Sequence, residues 1–257
     1  MDYVFEGFAS AVGLNPKSLV VQVALFYVIL ALGGVLFYLI FASLSYTYFF
    51  KLREDTFFPK TICPQDVAKQ ARHEIWIACS SIPFMAVAML PAPVFAYRGY
   101  SKLYKRMDEH GLTYTLMSVV AFFLFTDCLI YWFHRGLHHP VLYKRLHKLH
   151  HTYRYTTPFS SHAFHPLDGF GQGVPYYIFA YLVPMHHVLF LCMFVFVNFW
   201  TISIHDQVDL GGSILNTTGH HTIHHEQFNF NYGQYFTIWD RIGGTYRPAM
   251  KTHSSVY

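Results

Sequence analysis

The stretch from Leu112 to His151 reads LTYTLMSVVAFFLFTDCLIYWFHRGLHHPVLYKRLHKLHH, and it is the part of the chain that decides the fold. Its first half, through Phe133, carries a single charge, Asp127. A helix of about 20 apolar residues spans a bilayer, so this half predicts a membrane helix. The second half is rich in histidine and basic residues, so the polar part of the molecule is predicted to begin where this helix ends.

Three further segments are long and apolar enough to enter a membrane, namely 20–50, 75–97 and 174–204, besides 112–133. Hydrophobic residues make up 53% of the 257-residue chain, and only 12% are charged. That composition excludes disorder and an ordinary soluble enzyme. The net charge of +4 is modest, so we expect no nucleic-acid partner. We predict one all-α membrane domain, residues 1–257, with about four transmembrane or re-entrant segments.

Two polar stretches rich in histidine, 134–173 and 205–257, are predicted to form a cap outside the membrane. If both build one site, the segment 174–204 between them must cross the bilayer twice or not at all. Two full crossings need about 40 residues, more than this segment has. A hairpin bent near Pro184 fits better, and it would place His186 and His187 at its tip.

Histidines form three clusters with helical spacing. The clusters are His134-Arg-Gly-Leu-His138-His139, His147-Lys-Leu-His150-His151 and His221-Thr-Ile-His224-His225. Residues three and four apart share a helix face, so their imidazoles can converge on one point. A lone histidine is more often hydrogen-bonded in a core, whereas three such clusters favour a metal site. Eight or more histidines exceed the needs of one metal ion, which indicates two.

The other residues narrow the choice of metal. No glutamate has a histidine three residues later, which excludes the carboxylate-rich di-iron bundle. Structural zinc normally takes four ligands, often cysteine, in a closed site. Imidazole also binds iron, so a histidine-rich pair of sites at a membrane surface favours iron that activates oxygen.

The three clusters resemble the histidine boxes of the fatty acid hydroxylase and sterol desaturase superfamily, and the likeness runs from about Thr126 to Arg247. The flanking strings TPFSSHAFHPLDG (157–169) and NYGQYFTIWDRIGGT (231–245) are most similar to the sterol C-5 desaturase (lathosterol oxidase) family. They differ from the corresponding strings of 4-methylsterol oxidases and sphingolipid hydroxylases. The resemblance implies an enzyme of the endoplasmic reticulum membrane that converts a Δ7-sterol to a Δ5,7-sterol with O2, its metal site facing the cytosol.

The resemblance also implies a centre of two iron ions and no catalytic residue beyond it. Its implied ligands are His134, His138, His139, His147, His150, His151, His205, His221, His224 and His225, with His138 and His139 as alternatives in the first box. Three further histidines, His162, His165 and His220, are candidates for metal binding or for contact with the ligands.

Asp127 and Asp168 are candidates for supporting the ligands. Asp127 lies seven residues before His134 and therefore on the same helix face. A carboxylate there can bond the second ring nitrogen of a ligand imidazole and fix its tautomer. The alternative is that Asp127 pairs with another element and holds two parts of the fold together.

Electrons are expected to come from another protein, because the chain has no His-Pro-Gly-Gly haem motif and no dinucleotide fingerprint after a strand. The resemblance implies cytochrome b5 with an NAD(P)H-dependent reductase. Four basic residues are candidates for docking this donor: Lys144, Arg145, Lys148 and Arg154. The alternative is that they only keep this face cytoplasmic. The basic loop 98–106 argues for the opposite orientation.

Three rival functions remain at this point. A sterol or lipid hydroxylase with the same centre shares the first hydrogen abstraction and differs in product. A histidine-rich metal transporter would bind metal near the bilayer midplane, whereas these clusters lie beside the predicted spans. A haem-binding electron carrier would show a haem absorption spectrum.

Overall fold

The computed structural model describes residues 2–57, 63–209 and 211–249. The helices of the first half are α1 (Asp2–Ala11), α2 (Leu19–Tyr46, continued by a π-helical turn Thr47–Leu52), α3 (Glu54–Phe57), α4 (Pro64–Met89) and α5 (Pro91–Tyr97). Those of the second half are α6 (Gly111–Leu137), α7 (Pro140–Leu142), α8 (Pro166–Leu182), α9 (His187–Ser203), α10 (Thr218–Gln227) and α11 (Ile238–Ile242). Two short strands, β1 (Leu103–Tyr104) and β2 (Met185–His186), pair in parallel.

Two continuous helical stretches of the described chain are long and apolar enough to cross a membrane, Leu19–Leu52 and Gly111–Leu137. Helices α4 and α5 meet the same criteria as a pair and are bent by 45° at Leu90. Pro91 causes the break, because proline has no N–H to continue the hydrogen-bond ladder of α4. The all-α membrane fold predicted from the sequence is confirmed.

Large apolar side chains point outward from these helices. Val20 is 77% exposed and Leu44 62% on α2, and Leu116 is 60% exposed on α6. In water, exposed apolar surface on this scale is unfavourable; in a bilayer it faces lipid tails at no cost. The exposed residues therefore mark the lipid-facing surface.

The predicted segment 174–204 is divided into two helices of 17 residues each, α8 and α9. They are joined by a sharp turn at Val183–His186, so His186 and His187 lie at a hairpin tip as predicted. Helix α8 begins at Pro166, eight residues before the predicted start. Proline suits the first helical position, where its missing N–H would be unpaired in any case.

Buried polar contacts fasten the cap to the membrane helices. The Tyr38 hydroxyl of α2 donates to the carbonyl of Phe159 at 2.9 Å, and the Ser81 hydroxyl of α4 donates to that of Phe164 at 2.6 Å. The buried carboxylate of Glu74 accepts a hydrogen bond from Thr157. Because a buried polar group left unpaired is costly, these contacts fix the position of residues 157–164 on α2 and α4.

Candidate metal centre

Histidines from four places in the chain meet at the ends of the helices. His134 lies in the last turn of α6, and His138 is the residue that ends this helix. The second box follows in tight turns after α7, and the third box lies on α10. His205 lies two residues beyond α9. Because α8 and α9 form a hairpin, the end of α9 lies on the same face of the molecule as the end of α6, which carries the first box.

Nine of the ten predicted ligands form two groups, and within each group one ring nitrogen of every member lies within 4.8 Å of the others. The larger group has His134, His138, His147, His151 and His224. The smaller group has His150, His205, His221 and His225. The groups adjoin, since the ring centroids of His151 and His225 are 4.8 Å apart.

Backbone carbonyls fix the tautomer of three of these histidines. The pairs are His134 Nδ1 with Tyr232 O at 3.0 Å, His205 Nδ1 with Thr201 O at 2.6 Å and His224 Nδ1 with Phe230 O at 2.7 Å. A carbonyl oxygen can only accept a hydrogen bond, so Nδ1 must carry the hydrogen. Nε2 of each ring therefore presents its lone pair to the centre of the group.

The carboxylate of Asp168 fixes the tautomer of His147 in the same way as these carbonyls do. Its Oδ2 lies 2.7 Å from Nδ1 of His147, and both side chains are fully buried. The other carboxylate oxygen accepts a hydrogen bond from Gln172 Nε2 at 2.8 Å. Asp168 lies in the first turn of α8, so the start of this helix at Pro166 is what aims the carboxylate at His147.

Close approaches between ring nitrogens show that the larger group fits a cation. Nε2 of His134 and Nε2 of His147 are 3.2 Å apart. In the neutral rings that a metal ion requires, both atoms carry lone pairs, because both Nδ1 atoms hold the hydrogen. Two lone pairs that face each other repel, and a metal ion bound by both removes the repulsion. Nε2 of His151 lies 3.0 Å from Nε2 of His147 and completes this side of the group.

Unpartnered nitrogens point to the same conclusion. Three group members have a buried ring nitrogen without a hydrogen-bond partner among the described residues, while the other nitrogen of each ring does not bond a neighbouring histidine: His138 (Nε2), His150 (Nδ1) and His224 (Nε2). A buried polar atom without a partner costs about 1–3 kcal/mol. Coordination of a metal ion would satisfy such atoms, so the donor set fits metal binding in both groups.

Burial favours the neutral form of the histidines in the smaller group, which metal binding requires. Desolvation lowers the pKa of His205 to about 3, with the neighbouring His162 a smaller cause. Burial also takes the pKa of His150, His221 and His225 well below 6.5, and the neighbouring histidines add to the effect. At neutral pH the free nitrogens of these rings are therefore ready to coordinate a metal.

Four candidate histidines lie outside both groups. His139 is exposed and precedes Pro140 at the start of α7. His165 is half-buried and caps α8 by accepting from the N–H of Leu167 at 3.2 Å. His220 is buried, with Nδ1 3.1 Å from the Thr217 hydroxyl. His162, the fourth, bonds Ser161 and Asn198 beside the smaller group.

Asp127 does not contact a ligand imidazole, contrary to one of the two roles predicted for it. Its carboxylate accepts from the backbone N–H groups of Gln234, Tyr235 and Phe236 at 2.9, 2.7 and 3.3 Å. It therefore joins α6 to the loop that precedes α11, which is the alternative role. The helical spacing correctly places Asp127 on the same face as His134, but the backbone N–H groups of the loop occupy its carboxylate, so no ligand imidazole bonds it.

The carbonyls of Thr201, Phe230 and Tyr232 are functional groups that sequence reasoning missed. Every residue has a carbonyl, so no residue type marks these three. Asp240 holds the loop that supplies one of them, since its carboxylate accepts from the N–H groups of Tyr232 and Gly233 at 2.8 Å each. In the sequence, this region stands out only because the string 231–245, which contains Tyr232 and Asp240, resembles the corresponding string of the family.

A cavity of about 560 Å³ opens beside the histidines. Its walls come from α2, α4, α8 and α9, and four ligand candidates line its inner end: His134, His150, His205 and His221. It extends between α8 and α9 to the hairpin tip, where Leu103 and His187 line it. Ligand sites of small molecules fall in this range of volume and are mostly apolar.

Membrane helices, two groups of buried neutral histidines and an apolar cavity that reaches them define an integral-membrane protein with a histidine-rich candidate metal centre. The profile of the fatty acid hydroxylase family matches residues 119–245. The chain belongs to this family. The match covers all the histidines of both groups.

Relatives match far more of the chain than the profile does. Lathosterol oxidase of Rattus norvegicus is 41% identical over 251 residues, which cover 95% of this chain and 82% of the relative. That of Homo sapiens is 44% identical over 221 residues, 84% of this chain and 72% of the relative. Delta(7)-sterol 5(6)-desaturase of Saccharomyces cerevisiae is 43% identical over 242 residues, 93% of this chain and 65% of the relative. No solved structure matches the chain.

Proposed function

We propose that this protein is a sterol C-5(6) desaturase that converts a Δ7-sterol to a Δ5,7-sterol in sterol biosynthesis. The names of its relatives, which match most of the chain, support this reaction. The observation that carries the proposal is the cavity that ends at four candidate metal ligands. An oxidation at an unactivated carbon requires the substrate to lie against the metal centre, away from water.

The cavity suits a flat, rigid, apolar molecule. Glycines line two of its walls, Gly33 and Gly34 on α2 and Gly169 and Gly173 on α8. A Cβ atom on Gly169 would lie 2.2 Å from the Phe164 ring, and one on Gly173 would lie 2.4 Å from Cε of Met89. A larger residue at either position would displace Phe164 or Met89, which also line the cavity, and would change the shape of the space offered to a sterol.

We propose two iron ions as the cofactor, one in each histidine group. Bound iron would supply the oxidant that removes hydrogen from an unactivated C–H bond. Overall, the sterol loses the hydrogens of C-5 and C-6, and one O2 takes up these two electrons and two more from a donor to leave as two waters. The smaller group has one histidine fewer, and three of its four members line the cavity. The protein's own part is to hold the rings neutral, fix their tautomers and keep water out.

Cytochrome b5 with its reductase is the proposed electron source. Lys144, Arg145, Lys148 and Arg154 are all exposed, and they lie on the turns that carry the second histidine box. An acidic partner drawn to this surface would stop close to the centre. Replacing these four residues with glutamate should slow reduction by cytochrome b5 and reverse its dependence on salt, because salt then screens a repulsion instead of an attraction. Unchanged reduction would exclude this surface as the docking site.

We place the protein in the endoplasmic reticulum membrane as a multi-pass protein whose metal centre faces the cytosol. The basic residues around the second box support this orientation. The sequence Asn216-Thr-Thr218 is a glycosylation sequon. It cannot report topology, because Asn216 is fully buried and donates to the carbonyl of Gly233. An exposed position can: Lys148→Cys should react with an impermeant thiol reagent added to sealed microsomes. Protection until the membrane is opened would reverse the orientation.

Hydroxylation is the second candidate, because the family profile is that of fatty acid hydroxylases. Sterol profiles of cells that lack their own C-5 desaturase separate the two reactions. Expression of this protein should convert Δ7-sterols to conjugated Δ5,7-sterols, which absorb in the ultraviolet, and His150→Ala should abolish the conversion. A new hydroxylated lipid with unchanged Δ7-sterols would favour the hydroxylase.

A further inference from the structure

Polar side chains line the cavity at both of its ends, and the middle is apolar. The end near the histidines is lined by His162, Gln172, Asn198, Thr201 and Gln234. A sterol has a single polar group, the hydroxyl on C-3, so it can use only one of the two ends. Which end receives the hydroxyl sets the direction in which the substrate lies.

The reaction decides the direction, and this step rests on the proposed desaturation. C-5 belongs to the same ring as C-3 and is separated from it by one carbon. When C-5 and C-6 lie against the histidine groups, the hydroxyl stays within a few bonds of them. The receptor of the hydroxyl must therefore lie at the histidine end, beside the ligands, and the hydrocarbon tail must point toward the hairpin tip.

Most polar side chains at that end already hold other parts of the site. Gln172 Nε2 donates to Asp168 at 2.8 Å, and Gln234 Nε2 donates to the Thr201 hydroxyl at 2.9 Å. The Thr201 hydroxyl in turn donates to the carbonyl of Val197 at 2.9 Å. Among the described residues, the Gln172 and Gln234 amides are thus held through the nitrogen alone, with the oxygen unfixed, and each holds a group that supports the site.

Asn198 differs because its amide is held in one orientation at both its nitrogen and its oxygen and still keeps unused capacity. It lies on α9 seven residues before His205, which is about 10 Å along a helix axis. Its Nδ2 donates to the carbonyl of Phe194 at 2.7 Å, and its Oδ1 lies 3.2 Å from Nε2 of His162. One amide hydrogen and one lone pair remain without a partner among the described residues. A hydroxyl group can accept the first and donate to the second.

His162 orients this amide. It is buried, and its Nδ1 lies 3.0 Å from the Ser161 hydroxyl. Because Nδ2 of Asn198 donates to Phe194, the Oδ1 that faces His162 can only accept, so Nε2 of His162 carries the hydrogen. Nδ1 of His162 then accepts from the Ser161 hydroxyl, which shares its hydrogen with the carbonyl of Pro158 at 2.6 Å. The amide oxygen is then held by His162 and the amide nitrogen by Phe194, so the group cannot turn over.

We propose that the Asn198 amide binds the 3-hydroxyl of the sterol, with His162 as the residue that positions it. Asn198 thereby fixes how deep the sterol enters and which carbons face the histidine groups. Recognition of a single hydroxyl at this place gives preference for sterols with a free 3-hydroxyl over esters and over molecules that lack it.

The test compares a Δ7-sterol with its 3-deoxy analogue, using purified protein with its electron donor. The wild-type protein should favour the hydroxysterol by about ten- to a hundredfold in kcat/KM. Asn198→Ala, and the closer match in shape Asn198→Leu, should lose this preference by a fall in the rate on the hydroxysterol alone. Cys192→Ala, an exposed position on the same helix, should keep it.

Iron content separates recognition from damage to the site. Both Asn198 variants should bind as much iron as the wild-type protein and turn over the 3-deoxy analogue at its rate. Variants that keep the wild-type preference would overturn the proposal, as would an equal loss on both substrates. If the wild-type protein desaturates neither sterol, the proposed function itself fails, and that outcome is independent of Asn198.

Discussion

Asp168 and His147 show how one side chain sets the chemistry of another. Their 2.7 Å contact fixes which nitrogen of His147 faces the metal group. The sequence predicted that a carboxylate would do this and named Asp127 and Asp168 as candidates. Only the structure distinguishes them, because the choice depends on where α8 begins and on the loop that reaches Asp127 first.

Asp168→Asn should weaken iron binding about 10- to 100-fold, since an amide cannot hold the His147 tautomer as a carboxylate does. Competition with a chelator measures this affinity. Glu226→Gln, an exposed acid next to His225, is the matched control and should bind iron normally. Equal affinity in both variants would remove Asp168 from its assigned role.

The sequence left open whether His138 or His139 is a ligand, and burial separates the two. His138 lies in the larger group with a buried, unpartnered nitrogen, whereas His139 is exposed. His138→Ala should lose iron and turnover, and His139→Ala should retain both. Iron analysis and turnover of the two purified variants decide the point. Loss of iron in His139→Ala, with iron retained in His138→Ala, would show that His139 is the ligand instead of His138.

At the scale of elements, the site depends on contacts between distant segments. The hydrophobic pattern predicted the membrane helices and the hairpin near Pro184. It did not predict that α8 begins at Pro166, because the residues 166–173 are too polar and glycine-rich to look like part of an apolar span. The three carbonyls that orient ligands were also invisible, since backbone groups leave no mark in the sequence.

Asp127 tests the link between α6 and the loop before α11. Its carboxylate accepts three backbone hydrogen bonds. Asp127→Asn leaves part of this set unpaired and should lower the free energy of unfolding by about 1–3 kcal/mol. Unfolding in detergent measures the change, with the neighbouring Cys128→Ala as control. Unchanged stability with lost iron would instead assign Asp127 to the metal centre.

At the scale of the molecule, burial of many neutral histidines makes stability depend on pH. His205 has a pKa of about 3 when folded and 6.5 as its ordinary value. Below pH 6.5 the unfolded chain binds protons that the folded protein does not, so the free energy of unfolding decreases as the pH is lowered. Each such histidine contributes up to about 1.4 kcal/mol per pH unit.

Thermal unfolding of the metal-free protein between pH 7.5 and pH 5 measures this effect. The melting temperature should be constant above pH 7 and fall steadily below pH 6.5. The fall should be smaller in His205→Asn, because one buried imidazole has been removed. A melting temperature that stays constant down to pH 5 would show that the histidines are not buried as neutral rings.

The proposed reaction desaturates one sterol for each O2 reduced at the histidine centre. Purified protein loaded with iron, given a Δ7-sterol and cytochrome b5 with its reductase, permits both quantities to be measured together. We predict one conjugated Δ5,7-sterol formed for each O2 consumed, and neither event in His150→Ala. Oxygen uptake that yields a hydroxylated sterol, or no oxygen uptake at all, would contradict the account.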